Sequence, residues 1–296
     1  MIVAITGATG TIGSAVSAHL REMGHEVICI SRNRDRADVF WNPSEGLIES
    51  QSLEGIDAMI HLAGESIGNR RWSKRQKAEI YSSRIKGTEL IAKTLSELDS
   101  PPSVFLSGSA TGFYGDCGSS QIDEKSPKGS GFLAEVAADW ETATATAEEA
   151  GIKVTHLRTG IVLDPQSGML QKILPLFKLG LGGKLGNGNQ YWSWITLEDE
   201  VRLIGWLLSA DIQGPVNLTA PEPVSNAQFT KALGSALGKP TAIAVPKFGP
   251  MLLAGRELAQ ELIFTSTRAL PSVPINAGFQ FKHPSIDTAL TEILRS

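Results

Sequence analysis

Three glycines at a spacing of three, Gly7, Gly10 and Gly13, lie between the strand-like run Ile2 to Ile5 and the helix-like run Thr11 to Met23. That context gives each glycine a task. Gly7 permits a tight turn, Gly10 lets backbone approach a pyrophosphate, and Gly13 lets helix and strand pack closely. The helix N-terminus then offers free N–H groups and roughly half a positive charge to an anion. The chemistry implied is binding of a dinucleotide. About twenty residues further on, such chains usually place an acidic residue against the ribose hydroxyls. Here the sequence reads Ser31-Arg32-Asn33-Arg34, with Arg36 close behind. A guanidinium there favours a 2′-phosphate, to which charge-assisted hydrogen bonds contribute about 1.5–3 kcal/mol each. The expected cofactor is NADP(H), with NAD(H) as the alternative; a plain exposed basic turn is the bland reading.

The elements that must position these residues alternate short apolar runs with amphipathic helices, the pattern of βαβ units in a parallel sheet. Ile12, Ala15, Val16, Leu20 and Met23 share one helical face, which Gly24 closes. Further strands are expected at Val27 to Ile30, Ile56 to Leu62, Val104 to Ser107 and Ile152 to Arg158. A long helix opens at the capping box Ser73-Lys-Arg-Gln76, and another surrounds Leu133, Val136 and Trp140 and ends at Gly151. Two more capping boxes, Thr196 to Asp199 and Ser225 to Gln228, start later helices, while Leu179 to Gln190 is glycine-rich and reads as a mobile loop or lid. The expected class is α/β, a Rossmann doubly wound parallel sheet with a smaller C-terminal substrate-side region.

The 296 residues suffice for one large α/β domain or a domain with an appendage. A formal net charge of -4 argues against nucleic acid as a partner. No apolar run is long enough for a membrane span and no leader pattern opens the chain, so a soluble cytoplasmic protein is expected. Two cysteines, Cys29 and Cys117, fit a reducing compartment. The five histidines are scattered without ligand spacing, so no metal site is expected. Oligomeric state leaves no readable signal.

The motifs together resemble a family. TGATGTIG at the N-terminus, HLAG at His61 to Gly64 and LSGSATGFYG at Leu106 to Gly115 resemble the extended short-chain dehydrogenase/reductase and sugar-nucleotide epimerase superfamily. More narrowly, the chain resembles the YfcH-type epimerase family of atypical members. The carriers are Leu62-Ala-Gly-Glu65, Ser107 to Thr111, Leu157 to Leu163, Leu179 to Gly183, and Trp194-Ile195 with Asp199. Arg268 to Pro271 through Ala277-Gly-Phe279 resembles that family's C-terminal domain of unknown function. The resemblance implies a nucleotide-binding domain with a seven-stranded sheet over 1–165, completed by strands from 210–245. A substrate-side region over 166–296 would close the cleft, with the family's C-terminal domain at about 245–293. It also implies that Thr9, Gly10, Thr11, Ile12 and Gly13 hold pyrophosphate, and that Ser31 and Arg32 hold the 2′-phosphate. Leu62, Ala63 and Gly64 would lie on the adenosine side; Ser107, Ser109 and Arg158 would lie near the nicotinamide.

One part of the superfamily's machinery is absent. Ordinary members use a Tyr to move the proton, with a Lys four residues later to lower a phenol pKa that is otherwise near 10. This chain has three tyrosines, and the residues four positions on are Ile85, Gly118 and Ile195. Spacing from Ser109 puts Gly131 and Glu135 where the pair belongs. Candidate substitutes are Ser109, as the hydroxyl that polarises a carbonyl in relatives, and Tyr114, as an acid if a cation approaches. Glu65 is a candidate base at the cleft floor, Arg158 a candidate for a substrate anion, and Trp192 and Trp194 candidate cleft walls. Each has a structural counterpart: Tyr114 packing its loop, Glu65 capping a turn, Arg158 paired with a carboxylate, Asp199 capping a helix, the tryptophans filling core. Two functions follow. One is an NADP-dependent oxidoreductase or epimerase on a small carbonyl or sugar-like substrate, with a rearranged acid–base set. The other is a non-catalytic NADP(H)-binding sensor or regulatory protein.

Overall fold

The computed structural model describes residues 1–242 and 244–295. The first half is built from β1 (Ile2–Thr6), α1 (Thr11–Glu22), β2 (Glu26–Ser31), β3 (Val39–Asn42), β4 (Leu47–Ile48), β5 (Ala58–His61), α2 (Lys74–Ser96), β6 (Val104–Ala110), β7 (Gln121–Ile122), α3 (Phe132–Thr142), α4 (Ala145–Glu149) and β8 (Lys153–Thr159). The second half adds β9 (Ile161–Leu163), α5 (Gly168–Lys178), β10 (Tyr191–Trp192), β11 (Trp194–Thr196), α6 (Leu197–Leu207), β12 (Gly214–Leu218), β13 (Val224–Ser225), α7 (Asn226–Leu237), α8 (Phe248–Ala254), α9 (Arg256–Ala259), β14 (Arg268–Ala269), α10 (Ser272–Asn276) and α11 (Ile286–Ile293).

Eight strands form the main sheet, in the order β12-β8-β6-β5-β1-β2-β3-β4. Seven run parallel; β4 is a two-residue antiparallel addition on β3, beyond the seven strands implied by resemblance. The chain leaves β1 towards β2 and β3, then returns to add β5 on the other side. Strand order therefore reverses between β1 and β5, where an open α/β sheet leaves a crevice at its carboxyl edge. The sheet is apolar on both faces, as a covered parallel sheet requires. Val16 and Leu20 of α1 join Leu203, Ile204 and Leu207 of α6 over one face. Ile91, Ala92 and Leu95 of α2 join Ala147 of α4 over the other. A third cluster, containing Leu170, Trp194, Phe229 and Leu290, forms the core of the C-terminal half.

Three expectations change in detail. The helix foreseen up to Gly151 breaks into α3 and α4, because the Thr144 hydroxyl donates to the Glu141 carbonyl that the next turn's amide would use. At Ser73 only half of the capping box forms: Ser73 accepts from the Gln76 amide, but the Gln76 side chain donates to Glu65 and to the Ser66 carbonyl instead. The glycine-rich run is no free lid. Backbone bonds tie Gly186 to Val245, Val245 to Lys184, Ala227 to Gly188 and Asn226 to Gln190. Among the described residues, no helix is long and apolar enough to cross a membrane.

Candidate functional site

The glycine loop connects β1 to α1 at the reversal point. Gly7 has φ 73°, a left-handed conformation that any side chain would strain, and a Cβ there would lie 2.9 Å from the Leu62 carbonyl carbon. A Cβ on Gly13 would lie 2.2 Å from the Gly7 oxygen, so helix and turn meet with no room for a methyl group. Gly10 caps α1 without a side-chain hydrogen bond, and the first turn of α1 carries no acid. Its amides are therefore not answered by a capping side chain. Thr9, Gly10 and Thr11 are exposed along this edge.

The β5 exit loop is held against that turn by Thr6. Its hydroxyl oxygen accepts from the Leu62 and Ala63 amides, at 3.2 and 3.3 Å, and lies 2.6 Å from His61 Nδ1. Burial, with the charge of Arg84, lowers the His61 pKa to about 3, so the ring is neutral at physiological pH. Beyond it, the Glu65 amide donates to Ser83 and the Glu65 carboxylate accepts from Gln76 at 3.2 Å. Glu65 Oε2 has no partner among the described residues, so one carboxylate oxygen stays free at the crevice edge.

At the end of β2 the arginines divide. Arg34 pairs with Glu49 at 3.0 Å and lies over the Phe40 ring at 3.8 Å. Ser31 accepts from the Asn33 amide. Arg32 is exposed and makes no hydrogen bond or ion pair among the described residues. Arg34 is thus engaged, while the side chains of Arg32 and Arg36 are exposed and without a hydrogen bond or ion pair among the described residues.

The nicotinamide-side candidates are placed differently from expectation. Arg158 on β8 donates from Nε and Nη2 to the two Glu141 oxygens, both at 2.8 Å. Its Nη1 donates to the Tyr114 hydroxyl at 2.9 Å, and its plane covers the Phe113 ring at 3.6 Å. Burial opposes the charge of Arg158, but the bonds to Glu141 outweigh it and its pKa ends above the ordinary arginine value. The guanidinium is spent on protein partners, which corrects its assignment to cofactor or substrate. The Tyr114 hydroxyl donates to Asn217 at 2.8 Å, and burial pushes its pKa up to about 12. A phenol at that value, sealed beneath the loop, is a poor acid at neutral pH. Ser109 donates its one proton to Glu141 at 2.6 Å, and Ser107 is 0% exposed. Trp194 is 1% exposed, with its indole donating to the Glu222 carbonyl, so it fills core and does not wall a cleft. Asp199 accepts from the Lys282 and His283 amides and anchors the C-terminal segment.

Neither Gly131 nor Glu135 replaces the missing pair. Gly131, φ 113°, is the N-cap of α3, whose first amides donate to Glu261 at 2.8 and 2.9 Å; Glu135 pairs with Lys128 on the surface. The α3 residue that reaches Ser109 is Glu141, which motif reading missed. Its signal was faint: a carboxylate beside Trp140, and an arginine on a strand inside the sheet, each needing a partner once buried. Truncating one partner isolates the other. Glu141→Ala should cost about 3–5 kcal/mol in urea denaturation. A loss below about 1 kcal/mol would show that the pair carries little stability.

Two family descriptions cover most of the chain. NAD dependent epimerase/dehydratase matches residues 3–218, and a domain of unknown function, DUF1731, matches residues 245–293. The chain belongs to the NAD-dependent epimerase/dehydratase family. Within the family it is 42% identical over 292 residues to an epimerase family protein of Mycobacterium tuberculosis, covering 98% of this chain and 96% of that one. It is 32% identical over 298 residues to the human epimerase family protein SDR39U1, covering 99% and 100%. The solved structure of the human protein (isoform 2), described as with NADPH, superposes at TM-score 0.92 with 31% identity, covering 100% and 99%. A structure of a Corynebacterium glutamicum protein, described as a nucleoside-diphosphate sugar epimerase, gives TM-score 0.80 at 36% identity, covering 99% of this chain and 58% of that one.

Proposed function

We propose that this chain binds NADP(H) along the carboxyl edge of its sheet and acts as an oxidoreductase or epimerase on a small carbonyl or sugar-like substrate. The reading rests on the cradle around Gly7. Positions Gly7 and Gly13 admit no Cβ, the amides of α1 are left uncapped, and an unpaired Arg32 stands at the end of the neighbouring strand. The human relative described with NADPH supports the same choice of nucleotide. The backbone from Gly7 to Gly13 receives the pyrophosphate, with Thr9, Thr11 and Ile12 around it, and Ser31 and Arg32 take the 2′-phosphate. Leu62, Ala63 and Gly64 lie along the adenosine half. Nicotinamide, when bound, supplies hydride transfer. Glu65 offers a carboxylate oxygen at the crevice edge, where it can hold a substrate hydroxyl or take its proton. The engaged hydroxyls of Ser109 and Tyr114 favour a second reading, an NADP(H)-binding protein without turnover.

Calorimetric titration tests the cofactor. NADPH should bind more tightly than NADH, and Arg32→Ala should weaken NADPH roughly 10- to 100-fold while leaving NADH nearly unchanged. Equal losses for both nucleotides would defeat the 2′-phosphate role of Arg32. Following nicotinamide absorbance against a broad carbonyl panel separates the two readings, since an unchanging signal with tight NADPH binding leaves only the second.

A further inference from the structure

Positive charge and exposed apolar surface are concentrated on one face. Three segments, 66–74, 165–190 and 239–256, hold nine of the chain's 27 Lys and Arg residues, three in each, and none of its 31 Asp and Glu residues. The chain as a whole has a formal charge of -4, so the remainder is strongly acidic. Each segment touches the other two. Lys172 of α5 donates to the Gly68 carbonyl at 3.0 Å, and Arg71 donates to the Leu253 carbonyl of α8 at 3.0 Å. The Val245 amide donates to the Lys184 carbonyl at 2.8 Å, and Pro240 lies 3.7 Å from the place a Gly180 Cβ would occupy. Arg75 and Lys77, just past the first segment, pair with Glu79 and Glu257. The nine cations within the segments have no carboxylate within ion-pair distance, 4.0 Å, among the described residues. The same face carries the most exposed large apolar side chains. Leu179 is 72% exposed, Phe248 71%, Leu252 72% and Leu253 79%, with Leu176 and Leu181 at 53% each. The Leu181 amide donates to the Leu176 carbonyl at 2.9 Å, which gathers the α5 leucines at one corner, while Phe248 and Leu252 stand one turn apart on α8.

We propose that this face seats the protein on an anionic phospholipid surface, with the exposed leucines and Phe248 entering the acyl boundary and the surrounding lysines and arginines meeting headgroup phosphates. A contiguous apolar patch ringed by cations needs an apolar phase and anions at the same depth, and an anionic bilayer offers both. Nucleic acid supplies phosphates but no apolar phase for six Leu and Phe side chains. A second copy on a two-fold axis would lay these cations against themselves. The attachment is from one side, since no described helix is long and apolar enough to cross a membrane. Segment 66–74 continues from Glu65, so the seated face borders the crevice. The inference stands apart from the dinucleotide reading and does not rest on it.

Co-sedimentation of the full chain tests the proposal, using vesicles of phosphatidylcholine alone and of phosphatidylcholine and phosphatidylglycerol in equal parts. The wild type should sediment with the second kind only, and added salt should release part of it by screening exposed charge. Lys178→Glu with Lys184→Glu should weaken the association at least roughly 10-fold. Leu252→Ser with Leu253→Ser should weaken it by about the same factor through lost apolar burial. Phe248→Trp adds an indole whose emission should shift to the blue on the anionic vesicles, which a purely electrostatic contact leaves unmoved. These side chains are all exposed, so melting temperature and NADPH affinity should stay at wild-type values, and the cofactor reading stands or falls separately. A wild type that stays in the supernatant with both kinds of vesicle overturns the proposal. So does full binding by the serine variant, which would leave only a phosphate-attracting patch. Retention of soluble polyglutamate without uptake by vesicles also overturns it, and assigns the face to an acidic protein partner.

Discussion

Gly13→Ala should abolish nucleotide binding, lowering NADPH affinity by at least about 100-fold. The added Cβ would sit 2.2 Å from the Gly7 oxygen and 2.8 Å from the Gly7 carbonyl carbon, and both are backbone atoms with no rotamer to escape through. The Gly7 oxygen also accepts the Gly10 amide at 2.9 Å, the bond that closes the turn. Pushing it aside opens the turn and swings the α1 amides away from the phosphate position. Overpacking of this kind costs about 1–3 kcal/mol, so the variant should still fold. Gly10→Ala provides the contrast, because its Cβ meets only the Gly7 oxygen, at 3.3 Å. It should retain nearly full stability while losing affinity, since Gly10 is where a phosphate approaches. Melting temperature and NADPH titration measured on both variants check the pair. Wild-type affinity in Gly13→Ala would show that the loop does not hold the nucleotide.

A pH-dependent loss of stability should trace to Glu200. This carboxyl on α6 is 0% exposed; Oε1 accepts from Thr159 at 2.8 Å and Oε2 has no partner among the described residues. Burial raises its pKa from 4.5 to about 8, with the Thr159 bond acting in the other direction. A raised folded-state pKa means that the stabilisation is complete below about pH 4.5, where both folded and unfolded chains hold the proton. It is lost as pH climbs through about 8, where the folded chain must surrender its proton into an apolar site. The difference between those values corresponds to roughly 5 kcal/mol. Glu200→Gln carries no titrating proton, so it should match wild type near pH 5 and exceed it in urea denaturation at pH 9. Parallel stability curves for the two proteins across that range would rule out Glu200 as the source.

The cofactor half of the site was legible from local pattern because its requirements are local. Gly7, Gly10 and Gly13 act through backbone conformation and close approach within one turn and one helix start, so spacing alone carries the information. Arg32 was legible for a similar reason: the end of β2 is a fixed distance from the loop in a βαβ unit. The missing Tyr-x-x-x-Lys was also plain, as an i, i+4 relation on a single helix.

The other half depended on contacts between segments far apart in the chain. Nothing near Arg158 foretold that Glu141, seventeen residues earlier, would take the Nε and Nη2 donors of its guanidinium. Nor did anything near Tyr114 foretell that Asn217, 103 residues away, would accept its proton. Arg84 falls in a polar stretch of α2 that reads as a solvated face; only the approach of the glycine-bearing β5 loop brings its charge inside. The chain by itself determined the nucleotide-binding fold, the glycine turn between β1 and α1 and the exposed Arg32 at the end of β2. Tertiary structure alone decided which hydroxyls and cations remain free for chemistry, because a side chain's availability depends on every partner that burial brings to it.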